Sequence, residues 1–576
     1  MPALVAAALV LHVSGSVAQE QVGDTAVGHA AGARTIVELQ PFRQTSVSMS
    51  EAGETARRRA TLVNLNPGIN AWFLLTLGDA GQEHATTYHL ENPDPREQQL
   101  ELGAGGDIRL EAAGRVTDCA IWSGAADAEL EEARRSNLPF APLCNGRLYL
   151  RNPVPGNRTS LEAVTEFLRD HVWGGERVIG FVKRELFRDV FEQRPAPADA
   201  QVPPAAASDR APAPALVSAE YEARAFIPGS LGIDLGEADR GVVLGQWYEA
   251  RGLPGVYVST MQPAALVGLG ARGQGQAWRP DAVEAEALSY LIAFDLSRFD
   301  VGFTLGTEHP RLGWSGNVLD DVREPGLPGP DGIDTSAPLV RAGMLPPWLE
   351  TRAVATFTGG FKREQGAFRY GALAQRDHGS HYGFVEQGVV FSRLVPGLAT
   401  LFVTGDGTVD MKTWTGDDEA LLPAIRDARQ NGVALVEPDP VGGVPVPGAL
   451  VGRWGPGNWS GSAKGQLRTL RAGACLIAHA STRFLVYGYF STATPPTMAR
   501  VFQAYGCYYA MHLDMNALEH TYLALYRRQG SQIEVEHLVE GMSQLDKQSG
   551  GAVVPRFLGF PDDRDFFYLL RRIPER

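Results

Sequence analysis

The segment His512-Leu513-Asp514-Met515-Asn516-Ala517-Leu518-Glu519-His520 closes a largely apolar run that starts at Cys507. If that run is a strand, His512, Asp514 and Asn516 project from one face and bring an imidazole, a carboxylate and an amide to its mouth. Such a trio suits acid/base work or cation binding. Asp514, Asn516, Glu519 and His520 together make a donor set for a divalent cation, the only cofactor the sequence suggests, although they match no established ligand spacing. The competing expectation is that these are surface or core polar groups.

Two further segments carry candidate binding groups. Thr358-Gly359-Gly360-Phe361 follows the apolar run Ala353 to Phe357, so two glycines fall where a strand ends and the backbone can approach a ligand closely. Amides exposed there would hold an anion such as phosphate, and an ordinary glycine turn is the plainer alternative. Gly306 to Ser315 gathers Glu308, His309, Arg311 and Trp314 in one loop. His309 is a candidate substrate contact, and Trp314 has a face suited to a sugar ring, with a turn closed by Pro310 and Gly313 as the equal alternative. Arg468 and Arg471 approach a strand that begins at Ala474. Solvated charges are the default there.

The elements that would position these groups fall into two halves. Residues 33–125 show short alternating runs, such as Trp72 to Leu77 and Gln98 to Leu102, parted by Gly, Asn, Asp and Pro clusters. That pattern predicts a small all-β sandwich over 30–125. Residues 126–193 read as a short helical segment, with helices from Thr159 to Gly174 and from Arg177 to Gln193 that carry no catalytic-looking cluster. The stretch 194–216 is rich in Pro and Ala and reads as an interdomain linker. From 217 to 576 the pattern mixes strands and helices, so the expected fold is an α+β C-terminal domain. Within it, Glu286 to Leu296 would pair with Phe299 to Leu305, and Thr400 to Trp414 reads as a hairpin turned at Asp406-Gly407. Strands at Ala474 to His479 and Phe484 to Phe490 precede a helix from Pro495 to Tyr505, whose Met498, Val501, Phe502 and Tyr505 form one stripe. Strands at Cys507 to Asp514 and Thr521 to Arg527 follow.

Composition narrows the setting. The chain has 576 residues, 44% of them hydrophobic, enough to bury full cores. Its 52 basic and 66 acidic side chains give a net charge of −14 and are mixed rather than blocked, which argues against nucleic acid and anionic membrane surfaces as partners. No stretch is long and apolar enough for a membrane span. Ala3 to Leu11, followed by Ser16-Val17-Ala18, reads as a signal peptide over 1–18, although no Lys or Arg precedes it. The four cysteines fall in two local groups, Cys119 with Cys144 and Cys475 with Cys507. Two disulfides in an oxidising compartment fit that spacing, while three pairings or four free thiols remain open. A secreted or periplasmic location follows.

With these residues in view, the chain resembles the phosphodiester glycosidase family over roughly 285–545. The resemblance rests on Ala355-Thr-Phe-Thr-Gly-Gly-Phe361, the hairpin at Asp406-Gly407, the Arg468-Thr-x-Arg471 approach to Cys475, and the helix leading into Ala510-Met-His-Leu-Asp514. It implies hydrolysis of a sugar-1-phosphodiester at the anomeric carbon, with a carbohydrate or glycosyl-phosphate substrate. Thr358, Gly359, Gly360 and Phe361 would bind substrate together with His309, Trp314, His512 and Asn516. Asp514 or Glu519 would act as acid/base or nucleophile, and Arg471 and the glycine amides would steady the phosphate. The chain departs from the family pattern in having Thr358 where Asn is expected and Met515-Asn516-Ala517 in place of a glycine run. The alternative function is a non-catalytic glycan- or cation-binding protein of the cell envelope.

Overall fold

The computed structural model describes residues 35–52, 56–79, 85–103, 107–121, 128–159, 193–195, 205–206, 210–222, 224–236, 238, 241–266, 279–316, 318–363, 383–439, 441–451, 468–530 and 532–573. Strand makes up 43% and helix 15%, which corrects the expected α+β class: the protein is mostly β and is built from antiparallel sheets. The reason lies in the apolar runs. Ala353–Thr358 and Tyr509–Met515 are buried at every position, as is most of Thr469–His479. Short runs buried on both faces suit inner strands and give helices no polar face. Among the described residues the longest α-helix is Pro495–Ala504, where Pro495 and Pro496 start the first turn and Met498, Val501 and Phe502 are buried.

The expected helical segment is also corrected. Ala128–Arg135 is the α-helix described within it, and the strands Phe140–Leu143 and Leu148–Arg151 follow. These two complete a six-stranded N-terminal sheet with Gln44–Ala52, Ala56–Asn64, Trp72–Asp79 and Ala85–Glu91. A three-stranded sheet of Gln98–Leu102, Ile108–Ala112 and Arg115–Cys119 shares its core through Leu62, Leu75, Leu100, Leu110 and Leu150. A disulfide joins Cys119 to Cys144. The helices expected from Thr159 to Gly174 and from Arg177 to Gln193 lie, apart from their end residues, outside the described residues, as does the 1–18 segment. In the described part of 194–216, Ala215 N donates to Gly245 O at 2.8 Å and Leu216 N to Ala504 O at 3.0 Å, so this stretch is hydrogen-bonded to the body.

An eight-stranded sheet runs in the order Trp247–Glu249, Val256–Met261, Ser289–Asp295, Thr482–Ala493, Thr469–His479, Tyr509–Met515, Ala434–Glu437, Val446–Pro447. A five-stranded sheet runs Phe299–Thr304, Phe566–Arg571, Ala353–Thr358, Leu523–Gln529, Gln532–His537. The two share one core, in which the Phe357 ring meets Tyr487 at 5.1 Å and Phe567 at 5.4 Å. Ser289–Asp295 therefore pairs with Val256–Met261 and Thr482–Ala493, and the expected pairing with Phe299 to Leu305 does not form. Asp295 Oδ1 accepts from Ser297 N at 2.8 Å and turns the chain out of one sheet and into the other. A second five-stranded sheet contains the hairpin Ala399–Thr404 and Val409–Thr413, along with Ile425–Gln430, Phe384–Glu386 and Val389–Ser392. Cys475, in the middle of its strand, is disulfide-bonded to Cys507, just beyond the 495–504 helix. Among the described residues no helix is long and apolar enough to cross a membrane.

The seam between the N-terminal sheet and the body is ionic and dry. Arg151 Nε lies 2.7 Å from Glu91 and Nη2 lies 3.6 Å from Glu386, while the guanidinium stacks 4.2 Å from the Trp72 ring. Burial pushes the Glu386 carboxyl up to about 8, against the pull of Arg151 and a hydrogen bond from Leu305 N.

Candidate active site

Three strand ends meet at one place. Phe566–Arg571 runs between Phe299–Thr304 and Ala353–Thr358, so the four residues before it, Asp562-Asp563-Arg564-Asp565, lie against Leu305-Gly306 and Gly359-Gly360. Gly359 N donates to Asp565 O at 2.9 Å. The end of Tyr509–Met515 brings Asp514 to the same place, and the end of Ile425–Gln430 brings Arg429 and Asn431. Asn431 Nδ2 donates to the carbonyls of His512 and Leu513 at 2.7 and 2.5 Å, while its Oδ1 accepts from Phe361 N at 3.3 Å. One amide thus pins the glycine turn to the Asp514 strand.

The charges are interleaved and almost wholly buried. Asp514 Oδ2 accepts from Arg564 Nη1 at 2.7 Å, and Oδ1 accepts from Met515 N at 2.7 Å. Arg564 Nη2 lies 2.7 Å from His520 Nε2, and His520 Nδ1 lies 2.8 Å from Met515 O. Those contacts fit a neutral His520 with its proton on Nδ1. Asp565 is held at both oxygens, by Arg429 Nε at 2.7 Å and by His309 Nδ1 at 2.8 Å, the latter a close contact bent off the N–H direction. Asp562 takes a two-pronged grip from Arg556 at 2.8 and 2.9 Å. Asp563 meets Lys362 Nζ at 2.9 Å and Arg158 Nε at 3.2 Å.

These surroundings drive two neighbouring carboxyls apart. Burial raises Asp514 to about 7; the Arg564 charge opposes that rise and the Asp565 charge adds to it. Burial would also raise Asp565, but Arg429 and His309 hold it down to about 2. Near neutral pH one carboxyl therefore carries a proton in a sizeable fraction of molecules and the other stays an anion. That is the pairing acid/base chemistry needs.

The glycine turn is built around this pair. A Cβ on Gly359 would lie 2.6 Å from Asp565 Oδ2, and one on Gly360, whose φ is +149°, would lie 2.9 Å from Arg429 Nη2. The glycines admit the Asp565 and Arg429 side chains against the backbone. The Gly359 amide, one of those expected to cradle an anion, donates to Asp565 O. Thr358 Oγ1 donates to His520 O at 2.7 Å, and the Phe361 ring stacks on His512 at 4.9 Å.

The other sequence candidates have the following partners. Arg471 reaches Ala493 O at 2.9 Å, His512 Nε2 at 3.1 Å and Met515 Sδ at 3.0 Å, and burial lowers it to about 9. Trp314 Nε1 donates to Leu327 O at 2.8 Å. Asn516, with φ +83°, accepts from Thr469 Oγ1 at 3.0 Å. Glu519 is buried, and its carbonyl accepts from Arg556 Nη1 at 2.8 Å. Among the described residues no three His, Cys, Asp or Glu side chains converge as a metal site, and the Arg564 guanidinium lies between Asp514 and His520, two of the four donors considered for a cation. Sequence reasoning missed Asp562 to Asp565, Arg429, Asn431, Lys362, Arg556 and Arg158. The available signal was Asp-Asp-Arg-Asp directly ahead of Phe-Phe-Tyr-Leu-Leu, four charges that lead into a fully apolar strand.

No family model matches the chain, and no curated protein does. Among solved structures, the zebrafish N-acetylglucosamine-1-phosphodiester alpha-N-acetylglucosaminidase catalytic domain, auto-inhibited by its pro-peptide, aligns at 9% identity over 56% of this chain and 86% of its own, with a TM-score of 0.27. A Burkholderia pseudomallei chain described as an exported protein aligns at 11% identity over 92% of this chain and 98% of its own, with a TM-score of 0.19. Overlays this loose carry no argument about fold or activity, and the chemistry must be argued from the residues themselves.

Proposed function

We propose that the protein is an exported hydrolase of a glycosyl phosphodiester, with Asp514 as the acid that protonates the leaving phosphate oxygen. The observation that carries this reading is the Asp514 carboxyl, raised to about 7 beside an Asp565 carboxyl held at about 2. Arg564 and Arg429 supply positive charge at the same place, which suits a phosphodiester. Asp514 is preferred to Glu519 because its carboxyl touches the central guanidinium. The Gly359-Gly360-Phe361 and Leu513-Asp514 motifs carry the family resemblance, and the two disulfides suit an oxidising compartment. The N-terminal sheets serve as an accessory module.

The test is turnover of UDP-N-acetylglucosamine and of the methyl phosphodiester of N-acetylglucosamine 1-phosphate, by the protein and by Asp514→Asn. Turnover that falls about 10²- to 10⁴-fold in the variant, with an unchanged melting temperature, supports the assignment. An inert wild-type protein rejects it. One observation favours the rival reading of a non-catalytic binding protein: Asp514 and Arg564 are each only 1% exposed and are paired with one another. Binding of glycans without turnover would favour that reading.

A further inference from the structure

The hydrolase reading leaves open which group receives the proton of the attacking water. Resting on that reading, we propose that His309 is the proton acceptor, with Nε2 facing the water and Asp565 holding the ring from the Nδ1 side. Nδ1 lies 2.8 Å from Asp565 Oδ1, and Nε2 is buried with no hydrogen-bond partner among the described residues. Buried imidazole nitrogens are seldom left bare, so an unpaired one at a charged centre marks a place kept for a water or substrate group.

The rest of the ring's surroundings hold it still. His309 N donates to Gly306 O at 3.0 Å, and His309 O accepts from Arg341 Nη1 at 2.7 Å. Asp565 cannot readily take the proton itself, because Arg429 Nε grips its other oxygen at 2.7 Å. Arg429 is fixed in turn by Phe361 O at 2.7 Å and by the Phe384 ring at 4.5 Å. A carboxylate facing Nδ1 favours the tautomer with its proton there and a lone pair on Nε2, the arrangement a general base requires. Arg564 and Asp565 are consecutive, with Cα atoms about 3.8 Å apart. One holds Asp514 and the other holds His309, so acid and base are placed by neighbouring residues.

The step balances without a co-reactant. Water gives a proton to His309 Nε2 as its oxygen bonds to the anomeric carbon. The bond from that carbon to the phosphate oxygen breaks, its electron pair leaves with the oxygen, and Asp514 supplies the proton. The imidazolium then returns a proton to Asp514 through solvent. The products are the free sugar and a phosphomonoester.

The experiment measures kcat and KM for the methyl phosphodiester of N-acetylglucosamine 1-phosphate with wild type, His309→Ala, His309→Gln and Asp565→Asn, alongside thermal melts. The expected result is a kcat at least about 100-fold lower in both His309 variants, with KM within about threefold. Added imidazole should restore part of the His309→Ala activity and none of the His309→Gln activity. Asp565→Asn, which alters positioning only, should lower kcat with little change in KM. If the wild type is inert, the hydrolase reading falls and this assignment with it. If the wild type turns over and a folded His309→Ala or His309→Gln keeps its kcat, only the base assignment is overturned.

Discussion

Asp565 and Glu386 are both sealed from water and both face an arginine, yet their carboxyls move in opposite directions. Asp565 is held at about 2, and Glu386 is pushed up to about 8. Burial opposes ionisation at both sites, so contact must separate them. Asp565 has Arg429 at 2.7 Å on one oxygen and His309 at 2.8 Å on the other. Glu386 has Arg151 at 3.6 Å, and that arginine makes its closer contact, 2.7 Å, with Glu91. Depth therefore does not set the charge of a buried carboxylate in this protein. The number and closeness of the partners it meets do.

The largest change should come from Arg429→Met, which leaves Asp565 buried with His309 alone. Removing one partner of a buried pair costs about 3–5 kcal/mol, readable by urea unfolding. A cost under about 1 kcal/mol would mean that His309 suffices and that counting partners is the wrong rule. Gly359→Ala should cost about 1–3 kcal/mol, because its Cβ would meet Asp565 Oδ2 at 2.6 Å and push it off Arg429. If that variant were neutral, the close approach of Asp565 to the turn would not be what fixes the pair.

The effect of Glu386→Gln should appear in its pH dependence. Glu386 binds a proton more tightly in the folded state, at about 8 against 4.5, so its contribution to stability is full below 4.5 and falls as pH rises towards 8. Asp565 behaves oppositely: its contribution is full above 3.8 and is lost as pH falls through about 2. Melting temperatures of wild type and Glu386→Gln should therefore converge near pH 5 and separate in favour of the variant by pH 9. Curves that stay parallel over that range would break the comparison.

Local elements were legible where a single segment carries the whole signal. Thr494-Pro495-Pro496 and the Met498, Val501 and Phe502 stripe specify the 495–504 helix, and Asp406-Gly407 specifies the hairpin turn, where Thr408 N donates to Asp406 Oδ1 at 2.9 Å. Partners were not legible. Phe299–Thr304 pairs with Phe566–Arg571 from the far end of the sequence, and nothing in either run names the other. The same limit hid much of the site. Asp514, His309 and the glycine pair stand out by type, but Asp562, Asp563 and Asp565 give no sign of burial until Arg556, Lys362, Arg158 and Arg429 are seen to neutralise them in the interior, with Arg564 paired to Asp514. Sequence shows charges singly, and burial depends on their sum.

The position of Phe566–Arg571 bears on biosynthesis. It is an inner strand of its sheet although it lies among the last residues described, and the residues just before it carry the charges that answer Arg429, Arg556, Lys362 and Asp514. Until that segment is in place, those groups lack these counter-charges, and Phe299–Thr304 and Ala353–Thr358 lack the strand that lies between them. A chain that ends before Asp562 would lack both that inner strand and the aspartates that meet Arg429, Arg556 and Lys362. The charged cluster around Asp514 therefore closes only when the Phe566–Arg571 strand inserts.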